Sequence, residues 1–346
     1  MPAPLDTLER LGEAFELGPA TERRKMLVIV NPYATTVSDR LRNLVVAALQ
    51  GRYDVQAIDT VAKGHATRLA REAADEGFDV VVAFGGDGTL NEVANGLVGS
   101  TTPLTSLPGG SANVFGRMLG IPGDIVDATE HLLCLADDFR PRHVDLARVN
   151  DRWFTFSAGV GLDAAVVARV DAHPRLKARY GPKYFTAVAV STFSRRYVTD
   201  APRLNVEVDG DLLAGGVSVF VQNGDPYTYF GDLPIHVAEH SGLDSGHLAG
   251  AVLTRARLID MPSIAYRAFA PRSRVTGAKA VRGFHTVAEV VARSADGAPI
   301  PLQVDGDYIG SVTEARFDLA AGALRVVYRA AQPARAAAQP TPGVTR

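Results

Sequence analysis

The apolar residues in the first 140 positions fall into short continuous runs, and the stretches between these runs repeat at helical spacing. A continuous run such as Val80–Phe84 is typical of a parallel strand that is covered on both faces. The pattern predicts strands over Met26–Val30, Tyr53–Asp59, Val80–Phe84 and Leu104–Leu107, and helices over Leu41–Leu49, His65–Glu76 and Ile125–Leu135. This alternation predicts a Rossmann-like parallel sheet with helices on both faces and a ligand crevice at the carboxyl ends of its strands.

From His143 onward the pattern changes to strand pairs joined by tight turns. The predicted strands cover residues 144–150, Arg152–Ala158, Leu204–Val208, Val217–Gln222 and Ala249–Leu253, with turns at Asn150-Asp151 and Asp209-Gly210, a hairpin over Ile300–Ser311 and a final strand pair near Ala315–Tyr328. The predicted fold class is therefore α/β plus β, with an α/β domain over residues 26–142, completed by 313–330, and an antiparallel β-sandwich over 143–312. Residues 1–25 are predicted to form an extension, and the Ala- and Pro-rich residues 331–346 a disordered tail.

A turn with few side chains follows the third predicted strand. Gly85, Gly86 and Gly88 surround Asp87, and Thr89 opens the next predicted helix. The glycines let the backbone take positive φ and come close to a ligand, and the N–H groups of a helix start attract an anion such as phosphate. A carboxylate in such a turn repels phosphate unless a cation lies between them, so Asp87 indicates Mg²⁺ with a nucleoside triphosphate. The alternative is a tight connection whose glycines serve packing alone.

A second glycine turn follows the fourth predicted strand and leads into another predicted helix. It runs Pro108-Gly109-Gly110-Ser111, with Asn113 two residues further on. Ser111 is a candidate N-cap, and the alternative to a ligand site is that Ser111 and Asn113 cap the helix, a contribution of about 1 kcal/mol. Two glycine turns at neighbouring strand ends indicate a shared phosphate site more specifically than either turn alone.

These segments resemble the diacylglycerol kinase catalytic-domain family, which includes bacterial lipid kinases, sphingosine kinases and ceramide kinases and is related to the NAD kinases. The resemblance rests on GGDGT at 85–89, PGGSAN at 108–113, VNPYATT at 30–36 and VDGD at 304–307. Ser111 replaces the family's usual threonine, and Asp307 stands where a glutamate is usual. The resemblance implies a two-domain enzyme with its active site in the cleft between the domains, ATP and Mg²⁺ as cofactors, and a membrane lipid as phosphate acceptor.

The resemblance also implies roles for individual residues. The nucleotide contacts fall on Asn31, Pro32, Thr60, Gly85, Gly86, Asp87, Gly88, Thr89, Leu90, Asn91, Gly110, Ser111 and Asn113. Asp87 orients Mg²⁺, and Asp307 is the base that takes the proton from the lipid hydroxyl, with Asp305 as the alternative. The implied reaction transfers the γ-phosphate of ATP to a lipid hydroxyl, with diacylglycerol giving phosphatidic acid preferred. The alternatives are a sphingoid base or ceramide as acceptor, NAD kinase-like phosphorylation of a soluble substrate, or a binding protein without catalysis.

Composition narrows the choice of partners. The formal net charge is −2 and no block of like charge is present, so no nucleic-acid partner is predicted. The single cysteine, the lack of a secretory h-region and the lack of an apolar run of about 18 residues predict a cytoplasmic protein that at most contacts the membrane peripherally. The sequence is compatible with a homodimer. A basic and aromatic stretch could meet an anionic bilayer or could be a solvated helix face; its cations are Arg169, Arg175, Lys177, Arg179, Lys183, Arg195 and Arg196.

Some polar residues stay open at this stage. Asp163 follows a predicted strand, and it either stabilises a helix N-terminus or contacts the lipid head group. Ser241 stands where family members that hold an auxiliary Mg²⁺ have an acid, so that metal site is not carried over. His236, His240 and His247 have irregular loop spacing, which favours solvated side chains over a zinc site.

Overall fold

The computed structural model describes residues 23–34, 36–193, 203–239, 241–270 and 273–328. The predicted extension before residue 23, the predicted tail at 331–346, His240, Arg195 and Arg196 lie outside the described residues, as do the side chains of Arg175, Lys177, Arg179 and Lys183.

Eighteen strands and eight α-helices occur in the described part of the chain. The strands are β1 (Lys25–Val30), β2 (Asp54–Asp59), β3 (Val80–Gly85), β4 (Leu104–Pro108), β5 (Arg142–Val149), β6 (Arg152–Phe154), β7 (Ser157–Gly161), β8 (Leu204–Val208), β9 (Asp211–Gly216), β10 (Ser218–Gln222), β11 (Thr228–Phe230), β12 (Leu233–Ile235), β13 (Leu248–Leu253), β14 (Val281–Val287), β15 (Val290–Ser294), β16 (Ile300–Val304), β17 (Asp307–Val312) and β18 (Glu314–Val326). The helices are α1 (Asp39–Gln50), α2 (His65–Asp75), α3 (Asp87–Leu97), α4 (Val114–Met118), α5 (Ile125–Leu135), α6 (Leu162–Asp171), α7 (Pro174–Thr192) and α8 (Met261–Phe269).

The first half of the chain builds the predicted parallel sheet. Strands β2, β1, β3 and β4 lie in that order and pair in parallel. Their carboxyl ends lie at one edge, where the Asn31 amide donates to the Phe84 carbonyl and the Gly109 amide to the Gly85 carbonyl, each at 2.9 Å. The β3 residues are buried throughout, as expected for a strand with helices on both faces.

The second half of the chain forms a β-sandwich. An antiparallel sheet in the order β14-β13-β10-β7-β16-β17 packs against strands β5, β6, β8, β15 and β18 of the larger sheet. Apolar side chains from both sheets form one buried cluster, in which the Phe154 and Phe317 rings meet edge to face with centroids 6.4 Å apart. The predicted fold class, a parallel α/β unit followed by an antiparallel β-sandwich, is therefore confirmed.

One strand joins the two parts. The 13 residues of β18 pair with β15 at their start, with β5 along most of their length and with β4 at Val326. The predicted strand pair at 315–328 is therefore wrong, because this segment crosses from the sandwich to the parallel sheet without turning back. The larger sheet contains strands from both sides of residue 142, since β5 begins at Arg142 and belongs to the same sheet as β1 to β4. The domain boundary predicted at residue 142 remains a prediction.

Two further element bounds differ from the sequence prediction. The predicted strand Arg152–Ala158 is two strands, because the chain leaves one sheet after Phe154 and enters the other at Ser157. Helix α3 begins at Asp87 rather than at Thr89, with Gly86 as its N-cap. None of the described helices is both long and apolar enough to cross a bilayer.

Phe317→Ala tests the sandwich core. Phe317 has 0% exposure, and deleting a buried aromatic ring leaves a cavity, so we expect the free energy of unfolding to fall by about 3–5 kcal/mol. Urea unfolding followed by far-UV circular dichroism measures this loss. The matched control is Phe185→Ala, at 40% exposure, which should cost about 0.5 kcal/mol or less; equal losses in the two variants would contradict the core assignment.

Candidate active site

The two glycine turns lie against each other at the carboxyl edge of the parallel sheet. A β-carbon added to Gly86 would stand 3.3 Å from the Gly110 Cα, and one added to Gly110 would stand 2.7 Å from the Gly86 Cα. None of Gly85, Gly86 and Gly88 has a positive φ, so that part of the sequence interpretation is wrong. The glycines at 86 and 110 are required instead because the two backbones touch, and any side chain would push the turns apart.

The second turn is closed by an amide side chain rather than by a serine cap. The Asn113 Oδ1 accepts from the Gly110 amide at 3.0 Å, and the Asn113 Nδ2 donates to the Gly110 carbonyl at 2.8 Å. Asn113 has a φ of 46° and is itself the residue before α4. Ser111 is exposed and does not cap that helix, so its hydroxyl faces solvent beside the first turn.

Five other predicted nucleotide-site residues, Asn31, Pro32, Thr60, Thr89 and Leu90, lie near the same edge of the sheet. The Asn31 Nδ2 donates to the Thr89 Oγ1 at 3.1 Å, which joins the end of β1 to the first turn of α3. The Asn31 Oδ1 accepts from the amide of Tyr33 across Pro32, so Asn31 also shapes its own loop. Thr60 is half-buried at the end of β2, where its amide donates to the Val30 carbonyl. Leu90 is buried beneath the turns.

Asp87 is a strained carboxylate between the two turns. Its Oδ1 is shut off from solvent and has no hydrogen-bond partner in the described part of the chain. Burial raises the pKa of Asp87 to about 7, and the nearby Asp305 and Asp307 carboxylates add to the increase, while backbone N–H groups of Val114 and Phe115 oppose it. An anion with an unpaired buried oxygen is unfavourable, and a bound cation would relieve it.

The hairpin of β16 and β17 places Asp307 directly over the first turn of α3. A β-carbon at Gly88 would stand 2.5 Å from the Asp307 Oδ2, so only glycine leaves room for this approach. The hairpin turn consists of Asp305 and Gly306, both with positive φ, and Val304 pairs with Asp307 across it. The β-sandwich thereby delivers a half-buried carboxylate to the glycine turns of the parallel sheet.

Asp305, two residues earlier, anchors the hairpin instead of facing the cleft. Its Oδ1 accepts from the amides of Phe156 and Ser157 at 3.0 and 3.1 Å. Its Oδ2 accepts from the amide and hydroxyl of Thr155 and from the Asn91 Nδ2, each at 2.8 Å. Burial raises the pKa of Asp305, and the three backbone N–H groups oppose that increase.

This arrangement corrects two sequence expectations. Asp305 is buried with both oxygens engaged, so it is not placed to accept a proton from a substrate. Asn91 was expected to contact the nucleotide, but its side chain is buried and its Nδ2 also donates to the Trp153 carbonyl at 2.9 Å. Asn91 acts on the site indirectly, because it holds Asp305 and through it the hairpin.

A polar cluster supports the other side of the hairpin, and of its members the sequence analysis had singled out only Asp163. The Gln303 Oε1 accepts from the Gly306 amide at 2.9 Å, and the Gln303 Nε2 donates to the Asp163 Oδ2 at 2.6 Å. The Tyr227 hydroxyl donates to the same Asp163 oxygen at 2.5 Å. Burial raises the pKa of Asp163, whereas these two hydrogen bonds lower it. The three side chains come from distant parts of the chain, so no local sequence pattern predicts that they contact one another.

Arg117 links the glycine turns to a small hairpin in the second half. It lines the hollow beside Gly85, Gly86 and Asp87. Its guanidinium donates to the Gly231 carbonyl at 3.0 Å, pairs with Asp232 at 3.2 Å and stacks 3.8 Å above the Tyr229 ring. The β11–β12 hairpin is therefore fastened to the candidate nucleotide site.

His236 and Ser241, two of the loop residues whose roles the sequence left open, have defined surroundings. His236 lies 2.8 Å from Asp225 through its Nδ1, and Ser241 has a buried hydroxyl oxygen without a partner among the described residues. No group of three or more His, Cys, Asp or Glu side chains in the described ranges is arranged to hold a metal ion.

Asp87→Asn tests the electrostatic strain. Because the folded-state pKa of Asp87 is raised to about 7, its contribution to stability is complete below its ordinary pKa near 4 and is lost as pH rises through 7. The variant should therefore be more stable than the parent protein at about pH 8, by about 2 kcal/mol, and the difference should shrink towards about pH 4. Urea unfolding across this range measures it.

The matched control is Asp211→Asn, an exposed carboxylate at the far edge of the larger sheet. This variant removes the same charge at a position remote from the glycine turns. A flat profile for both variants would show that Asp87 is not strained by its surroundings.

The chain is similar in sequence and in structure to diacylglycerol kinases. Residues 25–149 match the family model described as the diacylglycerol kinase catalytic domain. A curated diacylglycerol kinase of Staphylococcus haemolyticus is 28% identical over 275 residues, which is 79% of this chain and 78% of that protein. A diacylglycerol kinase of Staphylococcus aureus is 31% identical over 202 residues, which is 57% of this chain and 61% of that protein.

A solved structure adds similarity over most of the chain. A protein of Bacillus anthracis str. Sterne, described as a candidate diacylglycerol kinase, superposes with a TM-score of 0.69 at 26% identity, over 90% of this chain and 100% of that one. The NAD kinase-like alternative is not favoured by these matches. The resemblance predicted from the sequence is therefore confirmed: residues 25–149 match the diacylglycerol kinase catalytic domain, and the chain is an enzyme similar to the kinases of that family.

Proposed function

We propose that this protein transfers the γ-phosphate of ATP to the hydroxyl of a membrane lipid, with diacylglycerol as acceptor and phosphatidic acid as product. One observation carries the proposal: the Asp307 carboxylate lies over Gly88, at the N-terminal turn of α3 and beside the two touching glycine turns. A candidate proton acceptor thus lies next to a candidate phosphate site. The relatives' printed name supplies the acceptor class.

The nucleotide phosphates would bind along the two glycine turns. Backbone N–H groups at the start of α3 carry the positive end of the helix dipole, and Gly86 places no side chain over them. Asn31 and Thr89, already bonded to each other, and the exposed Ser111 hydroxyl would surround the phosphates. These are polar groups that contact phosphate without adding charge.

Asp87 would supply one carboxylate ligand for Mg²⁺ at the turn, and phosphate oxygens of the nucleotide would supply others. The Asp87 Oδ1 is buried and unpaired within the described residues, and it lies close enough to Asp305 and Asp307 for their charges to raise its pKa. Asp87 would hold the ion, which when bound supplies positive charge that offsets the phosphates. A divalent cation would also explain why an acid is tolerated inside a phosphate site.

Asp307 would act as the general base. The lipid hydroxyl would donate a hydrogen bond to the Asp307 Oδ2. The oxygen of the lipid hydroxyl would then attack the γ-phosphorus of ATP, in line with the bond between that phosphorus and the leaving oxygen of ADP. As the new P–O bond forms, the bond to ADP breaks and the hydroxyl proton passes to Asp307. Aspartate is one methylene shorter than the family's usual glutamate, and the close approach allowed by Gly88 offsets that difference.

The acceptor would enter from the side of the β-sandwich. Asp163 lies next to the hairpin through its hydrogen bond with Gln303, so polar groups of the lipid head group would meet this cluster beside Asp307. A sphingoid base or ceramide offers a hydroxyl of the same reach and remains an alternative acceptor. Peripheral membrane association, a cytoplasmic location and a homodimer remain predictions.

Transfer of ³²P from ATP to a panel of acceptors in mixed micelles tests the proposal. The panel contains diacylglycerol, sphingosine, ceramide and NAD, each with and without Mg²⁺. We expect a labelled lipid with the mobility of phosphatidic acid, which disappears when the metal is chelated. Label in NAD alone, or no label in any acceptor, would overturn the proposal.

Asp307→Asn separates catalysis from folding. Removing a general base should lower kcat by about 10²–10⁴-fold while the Tm stays within a few degrees of the parent value, because Asp307 is only half-buried. Asp307→Glu should retain a measurable part of the activity. Asp305→Asn, in contrast, should lower the Tm, because a buried carboxylate with five donors loses its charge.

The control is again Asp211→Asn, which should keep the parent kcat. If Asp307→Asn retained full turnover while Asp305→Asn lost turnover without loss of Tm, the base would be Asp305 and the assignment made here would be wrong.

A further inference from the structure

Exposed apolar side chains are concentrated on one face of the second half. Eleven large apolar residues are exposed in the described part of the chain, and five of them lie close together in sequence or in space. Leu233 is on strand β12, Leu258 and Ile259 are on the 3₁₀ turn Leu258–Asp260 that precedes α8, and Tyr266 and Phe269 are on α8. Ile259 is 84% exposed and Tyr266 is 72% exposed. No residue of α8 is buried. Clustered apolar exposure of this kind marks a contact surface.

The same segment is strongly basic, although the chain as a whole is nearly neutral. Residues 254–282 contain seven Arg or Lys and one acid, Asp260, a net charge of +6 against −2 for the whole chain. Asp260 is already paired with Arg255 at 2.9 Å. Arg257, Lys279 and Arg282 are exposed. A helix with apolar side chains on one face and cations around it has the composition that binds at the surface of an anionic bilayer.

The inner face of α8 connects this surface to the candidate acceptor site. Met261 and Ile264 pack on the apolar cluster that contains Tyr227, and the Tyr227 hydroxyl bonds to Asp163. On its other side, the Phe269 ring meets Phe230 of the β11–β12 hairpin edge to face at 5.7 Å. That hairpin is the one held by Arg117 beside the glycine turns.

We propose that α8 and the turn before it are the surface with which this protein docks on an anionic phospholipid bilayer. Leu258, Ile259, Tyr266 and Phe269 insert among the head groups, and Arg257 with its neighbouring cations contacts the lipid phosphates. This face adjoins the apolar cluster that contains Tyr227, the hydrogen-bond partner of Asp163. This inference rests on the proposed lipid-kinase function for its biological purpose, but bilayer binding can be measured without catalysis.

Vesicle sedimentation with the full chain tests the surface directly. The vesicles are phosphatidylcholine alone or phosphatidylcholine with about one third phosphatidylglycerol. We expect the parent protein to bind the anionic vesicles more tightly, with binding that weakens as salt is raised. Ile259→Ser/Tyr266→Ser should lower the partition coefficient about tenfold or more, because two insertable side chains are lost, and Arg257→Glu should remove the preference for anionic vesicles.

Two control variants make the test specific. Leu212→Ser removes an equally exposed apolar side chain, at 69% exposure on β9, and should bind as the parent does. Phe185→Ser/Val190→Ser removes exposed apolar side chains of α7, the helix in the stretch that sequence charge alone had suggested. If only the α7 variant loses binding, or if the parent does not bind anionic vesicles, the α8 proposal is overturned.

Activity assays then separate this inference from the kinase proposal. The Ile259→Ser/Tyr266→Ser variant should phosphorylate a short-chain, water-soluble diacylglycerol at the parent rate, while its KM for long-chain diacylglycerol in vesicles rises by about the factor lost in binding. Absence of phosphorylation in the parent protein, with vesicle binding intact, would reject the kinase function alone. Normal vesicle binding by the α8 variant would reject the docking surface alone.

Discussion

The carboxylate of Asp305 organises the connection between the two halves of this protein. The two carboxylate oxygens accept hydrogen bonds from the backbone N–H groups of residues 155–157, from the Thr155 hydroxyl and from the side-chain amide of Asn91. A buried carboxylate is unfavourable unless such donors surround it, and hydrogen bonds to a charged group contribute about 1.5–3 kcal/mol each. The chain leaves one sheet after Phe154 and enters the other at Ser157, and the N–H groups freed by that crossing are the ones that bind Asp305.

This anchored turn explains how a sandwich strand can serve a site on the parallel sheet. With Asp305 fixed from below and Gly306 held by Gln303, the position of Asp307 over Gly88 follows from the hairpin geometry. Asn91 belongs to α3, the same helix whose first turn carries Asp87 and Gly88. The helix that begins at the candidate phosphate site therefore also holds the hairpin that carries Asp307, so the positions of Asp87 and Asp307 are coupled.

The arrangement stores electrostatic strain at one place. Asp87, Asp305 and Asp307 lie close enough to raise the pKa of Asp87, and the Asp87 Oδ1 is buried without a partner in the described part of the chain. Functional sites often carry such strain because a bound ligand relieves it. A cation bound at Asp87 would remove repulsion that the folded protein otherwise retains.

The local sequence determined the parallel strands, the two glycine turns and the Asp-Gly hairpin, because each depends on short-range spacing: continuous apolar runs, residues without side chains, and turn residues that accept positive φ. It also contained the motifs that mark the family. Only the tertiary structure showed that Asp305 is buried and hydrogen-bonded while Asp307 lies over Gly88, since two carboxylates separated by one glycine look alike until their contacts are known. The Asp163, Tyr227 and Gln303 cluster and the contact of Gly86 with Gly110 likewise join residues from distant parts of the chain. Such contacts depend on how the sheets pack against each other, and no local pattern of residues records that packing.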